Sequence, residues 1–186
     1  YDLVDTIDTL ATEKNWDWII TFHPKLDDPE LIEKYQALSI KHPHINFQRF
    51  NDGLNTFRRA DVMLCDSSSI ILEFQMLDKP VVTLRNTLPG PHLIDVRNEN
   101  EVGEALERAL TRPPELMKAI QEYTMEHEVH RDGKNSARVL DAVDDFIAVY
   151  QGRLKPKKVR FIRKFKLRKR LNYFPVFLKV KKALNN

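Results

Sequence analysis

Ala60-Asp61-Val62-Met63-Leu64-Cys65-Asp66-Ser67-Ser68-Ser69-Ile70-Ile71-Leu72-Glu73 is the stretch that decides the fold. Residues 61–65 are a short apolar strand that runs into an acid. Three consecutive hydroxyls follow, and a helix is expected from Ser69 to Leu77. Pro80 to Leu84 reads as the next strand. A buried strand, a small-residue turn, a helix and another buried strand make one turn of an α/β winding.

The chain upstream repeats the pattern. Val4, Ile7 and Leu10 recur about one helical turn apart, so residues 4–14 read as an amphipathic helix. Trp18 to Phe22 is a strand stopped by His23-Pro24, because proline removes a donor and disfavours helix before it. Residues 30–41 read as a helix, 45–47 as a strand, and Asp52-Gly53 as a turn. Short apolar strands alternating with helices through brief connections predict a parallel sheet with helices on both faces. After Arg85 the pattern becomes helical, over 99–111, 114–127 and 136–150, with Asn135 or Ser136 as the last N-cap.

The net charge of +3 conceals a sharp division. All 27 acidic residues precede Gly152, alongside 16 of the 30 Lys and Arg, so that region carries −11. The remaining 14 basic residues lie in the last 34 positions without one acid, which gives +14. The organisation expected is a nucleotide-binding domain over 1–151 and a basic tail over 152–186. No run approaches the ~18 apolar residues that a membrane-spanning helix needs, and no signal peptide is visible. The single cysteine, Cys65, forms no intrachain disulfide and reads as a small buried residue at a strand end.

Two groups of residues carry chemistry. Ligands of open α/β sheets bind beyond the carboxyl ends of the strands. Asp66, Ser68 and Ser69 stand at such an end, where helix N–H groups and hydroxyls suit a diphosphate. Glu73, one turn into the helix, is placed to accept from ribose hydroxyls. The competing reading is that the serines only cap the helix and Glu73 favours its dipole. His23 is the second group, expected on the same edge of the same sheet. It would donate to a phosphate oxygen, or as imidazolium neutralise charge on a departing nucleotide. His42, His44, His127 and His130 read as solvated, with Arg131 to Lys134 near enough to line a cleft. No metal cluster is evident, and no cofactor is expected.

Asp66-Ser67-Ser68-Ser69…Glu73 followed by Lys79-Pro80-Val81-Val82 resembles a block of the CDP-glycerol glycerophosphotransferases, which build teichoic-acid-type polymers. His23-Pro24 resembles their histidine-proline motif, and Asp132-Gly133-Lys134-Asn135-Ser136-Ala137-Arg138 a late segment of the same family. The resemblance covers about residues 1–150 and implies the C-terminal, Rossmann-like half of a GT-B fold, preceded by a further half that contacts the acceptor. It also implies a catalytic or diphosphate-contacting His23, diphosphate-binding serines and a ribose-binding Glu73. Ser67 departs from it, since the family usually has an aromatic there. Thr83-Leu84-Arg85-Asn86-Thr87 through Pro91 is instead similar to a stretch of the UDP-N-acetylglucosamine 2-epimerases, a GT-B relative. The donor base therefore stays open between cytosine and uracil.

In residues 153–186, dense Lys and Arg interleave with Phe161, Phe165, Tyr173, Phe174 and Phe177, and Pro175 is expected to split two short amphipathic helices. An anionic membrane surface is the partner this composition favours over nucleic acid. The expected protein is a bacterial transferase at the cytoplasmic face of the membrane. It would take glycerol phosphate from CDP-glycerol or a related donor to a lipid-linked polymer acceptor. The alternatives are a UDP-sugar 2-epimerase, or a non-catalytic scaffold that binds membrane or nucleic acid.

Overall fold

The computed structural model describes residues 3–23, 25–48, 53–153 and 160–171. The chain divides into two compact units, Tyr1–Asp132 and Gly133–Asn186. In chain order the first holds α1 (Val4–Glu13), β1 (Trp18–Ile20), α2 (Pro29–Lys41), β2 (Ile45–Phe47), α3 (Gly53–Arg59), β3 (Met63–Cys65) and α4 (Ile70–Gln75). It continues with β4 (Val81–Leu84), β5 (Ile94–Val96), a 3-10 turn (Glu99–Glu101), α5 (Val102–Leu110) and α6 (Pro114–His127). The second unit holds α7 (Asn135–Tyr150) and α8 (Phe161–Arg170). This is the expected α/β fold, with parallel strands and C-terminal helices.

The strands form two parallel sheets, β1-β2 and β3-β4-β5, rather than the single sheet expected. His23 and the serines therefore stand at the ends of strands in different sheets. β4 is the best buried strand: Val81, Val82 and Thr83 are fully enclosed and Leu84 nearly so. A strand covered on both faces reads as continuous apolar sequence, as Val81-Val82-Thr83-Leu84 does. On one face Val82 meets Val102, Ala105, Leu106 and Ala109, the i, i+3, i+4, i+7 stripe of α5. On the other, Val81 joins Phe57, Ile71 and Phe74. The β1-β2 sheet packs Ile20 and Ile45 against Ile7, Ala11, Tyr35 and Leu38.

Three elements differ from the reading of the sequence. Gly53 opens α3, with Phe57 buried, where only a turn was expected; Asp52 lies outside the described residues. β5 falls between Arg85 and the helix expected from 99, where no strand was expected. The helix after the serines spans six residues, because Asp78 turns into the left-handed region at φ 55°. The histidines after α2 are also not solvated. His42 is 8% exposed and its Nε2 lies 2.5 Å from Asp8 Oδ1, while His44 Nε2 lies 3.0 Å from the Ala11 carbonyl. Hydrogen bonds from Lys41 and then His42 hold the Asp8 carboxyl below its ordinary value. Together these ties fasten the end of α2 to α1.

In the second unit α7 begins one residue after Lys134, its N-cap, so Asn135 lies within the helix and accepts from Arg138 Nη1 at 3.2 Å. The expected break at Pro175 and the aromatic residues beyond Leu171 lie outside the described residues. Among the described residues, no helix is long and apolar enough to cross a membrane.

Candidate functional site

β3 and β4 are parallel neighbours, so the loops that leave them emerge side by side. Polar side chains bind the two loops together. Asn86, 6% exposed, donates from Nδ2 to the Asp66 carbonyl (3.2 Å) and accepts from Leu88 N at its Oδ1 (2.8 Å). Thr87 donates to Ser67 Oγ from its backbone N (2.9 Å) and from its hydroxyl (3.1 Å). Beneath them the Asp95 carboxylate accepts from Thr83 Oγ1 (2.9 Å) and Asn86 N (2.8 Å) and pairs with Arg97 (3.1 Å). Arg85 takes φ 54°, a conformation that costs an ordinary residue roughly 1–2 kcal/mol. It is held there by bonds from its N to the Val96 carbonyl and from its Nε to the Arg97 carbonyl, both 2.8 Å.

Such a framework ties Asp66 and Ser67 to the loop after β4, while Asp66, Ser68, Ser69 and Glu73 remain exposed. Ser69 is the N-cap residue of α4, yet its side chain makes no capping bond. Ser68 Oγ accepts from Ile70 N at a long 3.4 Å. Capping therefore engages these two hydroxyls weakly. Because α4 has six residues, a bound anion would rest on hydroxyls and loop amides more than on a long helix dipole. Next to this loop, burial followed by the charge of Asp66 pushes the Cys65 thiol up to about 12, which suits a packing residue and not a nucleophile.

His23 follows β1 and is exposed. Its Nδ1 accepts from Lys25 N at 3.1 Å, and its carbonyl accepts from Leu26 N at 2.9 Å. An Nδ1 that accepts an amide hydrogen leaves the ring proton on Nε2, so the outward nitrogen of the neutral ring is a donor. Pro24 lies outside the described residues. Asn86 and Thr87, which organise the serine loop, were quoted in the sequence only for a resemblance. Their signal was a pair of polar residues at the carboxyl end of a buried strand.

Lys79, quoted as part of the Lys-Pro-Val block, has a structural task. Its Nζ donates to the carbonyls of Phe57 (2.9 Å), Arg58 (2.8 Å) and Ala60 (2.6 Å), closing the end of α3. Lys79→Met should cost about 1–2 kcal/mol, since bonds to a charged donor are worth ~1.5–3 kcal/mol but the stem and some hydration remain. Denaturant titration would show a lower midpoint with an unchanged slope; an unmoved midpoint would deny the cap. Arg131 is likewise engaged, with Asp78 Oδ1 at 3.0 Å and with Thr124 Oγ1. Among the described residues, no three His, Cys, Asp or Glu side chains are grouped to hold a metal.

A family model described as UDP-N-acetylglucosamine 2-epimerase matches residues 1–144. It upholds the second of the two resemblances, the one carried by residues 83–91; it does not show the CDP-glycerol family. No curated protein matches the chain.

Proposed function

Because the chain belongs to the UDP-N-acetylglucosamine 2-epimerase family, we propose that it holds the diphosphate of a nucleotide-linked sugar on the loop after β3. The observation that carries this reading is the bracing of Asp66 and Ser67 by Asn86 and Thr87, with the hydroxyl-bearing residues Ser68 and Ser69 exposed next to them at a strand-end turn. Pre-positioned donors cost little reorganisation when charge arrives. Ser68 and Ser69 donate to phosphate oxygens, Glu73 accepts from the ribose, and His23 donates from Nε2 to the departing phosphate.

A second reading, transfer of glycerol phosphate from a CDP-linked donor to a membrane-bound polymer, is favoured by α8. This helix carries Arg163, Lys164, Lys166, Arg168, Lys169 and Arg170 with no acid, and exposes Phe161, Ile162 and Phe165. In that reaction an acceptor hydroxyl attacks the glycerol-bearing phosphorus and the bond to CMP breaks. Incubation of the complete enzyme with each donor separates the two. A new 2-epimer of the UDP-sugar supports the first reading; CMP release dependent on a polymer acceptor supports the second. Neither product from a folded enzyme that binds nucleotide would leave only a non-catalytic role.

The tail gives an independent expectation. Intact protein should sediment with vesicles containing anionic lipid, strongly at low salt and partly at high salt, because salt screens charge but not inserted Phe and Ile. Deletion of 153–186 should abolish sedimentation without changing donor affinity. Binding to RNA or DNA that falls steeply with salt, with no binding to vesicles, would instead assign the tail to nucleic acid.

A further inference from the structure

The loop after β4 is tied down at two places. Its start, Asn86 and Thr87, holds Asp66 and Ser67 of the candidate site. Its far end is His92, where three elements converge. Gln75 of α4, fully buried, donates from Nε2 to the His92 carbonyl at 2.6 Å. The His92 ring lies flat on Tyr123 of α6, with centroids 3.7 Å apart and 2° between the planes. Gly90 leaves room for that ring, since a Cβ there would stand 2.7 Å from its Cε1 and 2.8 Å from its Nδ1. Leu93 N donates to the Gly90 carbonyl at 3.0 Å and closes the turn. Because Ser68 and Ser69 lead into α4, the bond from Gln75 joins the other end of that helix to the loop that braces its start.

The surroundings of the ring suit its neutral form. From α6 it faces the Tyr123 phenol and, beyond it, His127, whose ring centroid is 4.5 Å from that of Tyr123. His127 Nδ1 donates to the Tyr123 carbonyl at 2.8 Å, which can only accept. From α4 the ring's neighbour is the neutral Gln75. Arg108 of α5 and Glu115 of α6, opposite in sign, line a cavity beside Pro91 and Leu93, the residues on either side of His92. Burial first, and the charge of His127 second, hold His92 below the ordinary imidazole value. An imidazolium there is desolvated and meets a like charge. A histidine with a lowered folded value contributes fully above its ordinary value of about 6.5, and that contribution is lost as pH falls through the lowered value.

We propose that His92 is a pH-sensitive positioning residue: stacked on Tyr123 in its neutral form, it clamps the loop after β4 so that Asn86 and Thr87 hold Asp66 and Ser67, and protonation releases the clamp. His92 acts through the loop and touches no ligand. Its effect on binding rests on the reading of the serine loop as a phosphate site. Apparent affinity for a nucleoside diphosphate is then reduced at acid pH by the fraction of protein still clamped. The direction is opposite to that of His23, whose charged form attracts phosphate more strongly.

Calorimetric titration with UDP and with CDP, on the native protein and on His92→Phe, tests it. Phenylalanine keeps a ring for Tyr123 and a carbonyl for Gln75 but does not titrate. The charge of His23 and protonation of the nucleotide itself are common to both proteins, so they cancel in a ratio. The ratio of native to variant affinity should fall at least about threefold between roughly pH 7.5 and pH 5. His127→Gln, which removes the like charge, should move that fall to higher pH. A ratio independent of pH overturns the proposal. If neither nucleotide binds at any pH, the phosphate reading fails and the clamp is judged by hydrogen exchange alone. The Thr87 amide, bonded to Ser67 Oγ, should then lose protection at about pH 5 in the native protein and keep it in His92→Phe. Equal protection in the two overturns the clamp. Should His92→Phe fail to fold, Thr87 is compared with Leu106, buried in α5, in the native protein. Loss at Thr87 alone supports the clamp; loss at both or at neither overturns it.

Discussion

Replacing Ser68 and Ser69 together by alanine should weaken nucleoside diphosphate binding by about 10²- to 10⁴-fold, because two hydrogen bonds to charged oxygens are lost at ~1.5–3 kcal/mol each. The fold should hardly notice. Ser69 makes no capping bond, Ser68 receives only the 3.4 Å contact from Ile70, and Ser67 keeps its bonds to Thr87. Calorimetric titration beside a thermal melt checks both halves. Unchanged affinity in a protein that melts normally would reduce the serines to helix-end residues. A large fall in melting temperature would mean that the weak cap matters more than its geometry indicates.

His23→Ala should lower turnover of the complete enzyme by about 10²- to 10⁴-fold, the range for a positioned proton donor, with donor affinity changed far less. The asymmetry follows from the bond between Lys25 N and Nδ1, which leaves Nε2–H as the outward donor. A donor that meets charge developing on a departing phosphate gains strength at the transition state, so its loss appears in kcat rather than in binding. If His23 serves only the local turn, the variant will lose thermal stability and keep the turnover of its folded fraction.

Much of the fold was legible because periodicity survives in short segments. β2 and α6 have the bounds expected, and α1, α2 and α7 lie within a residue of them. What the sequence hid has particular causes. β5 escaped notice because its middle residue is Asp95, whose carboxylate is buried beneath the candidate site to serve Thr83, Asn86 and Arg97. An acid at the centre of a three-residue strand removes the apolar signal that strand detection relies on. In α3 two large apolar residues, Leu54 and Phe57, remain to mark a helix, and its closure depends on Lys79, some twenty residues further along. His42 looked solvated because nothing local announces that α1 covers it. At the site, Ser68, Ser69 and Glu73 were legible as a strand-end pattern. The bracing by Asn86 and Thr87 was not, since it joins loops twenty residues apart.

On the proposed function, the loop after β3 recognises phosphate charge rather than a nucleoside as such. The most direct measurement is calorimetric titration of one protein preparation with uridine, UMP and UDP, repeated with cytidine, CMP and CDP. Affinity should climb with each phosphate in at least one series, and Ser68→Ala/Ser69→Ala should flatten the climb between monophosphate and diphosphate while leaving the nucleoside's own affinity in place. Equal affinity for nucleoside, monophosphate and diphosphate, or a climb that the double substitution leaves intact, would contradict it.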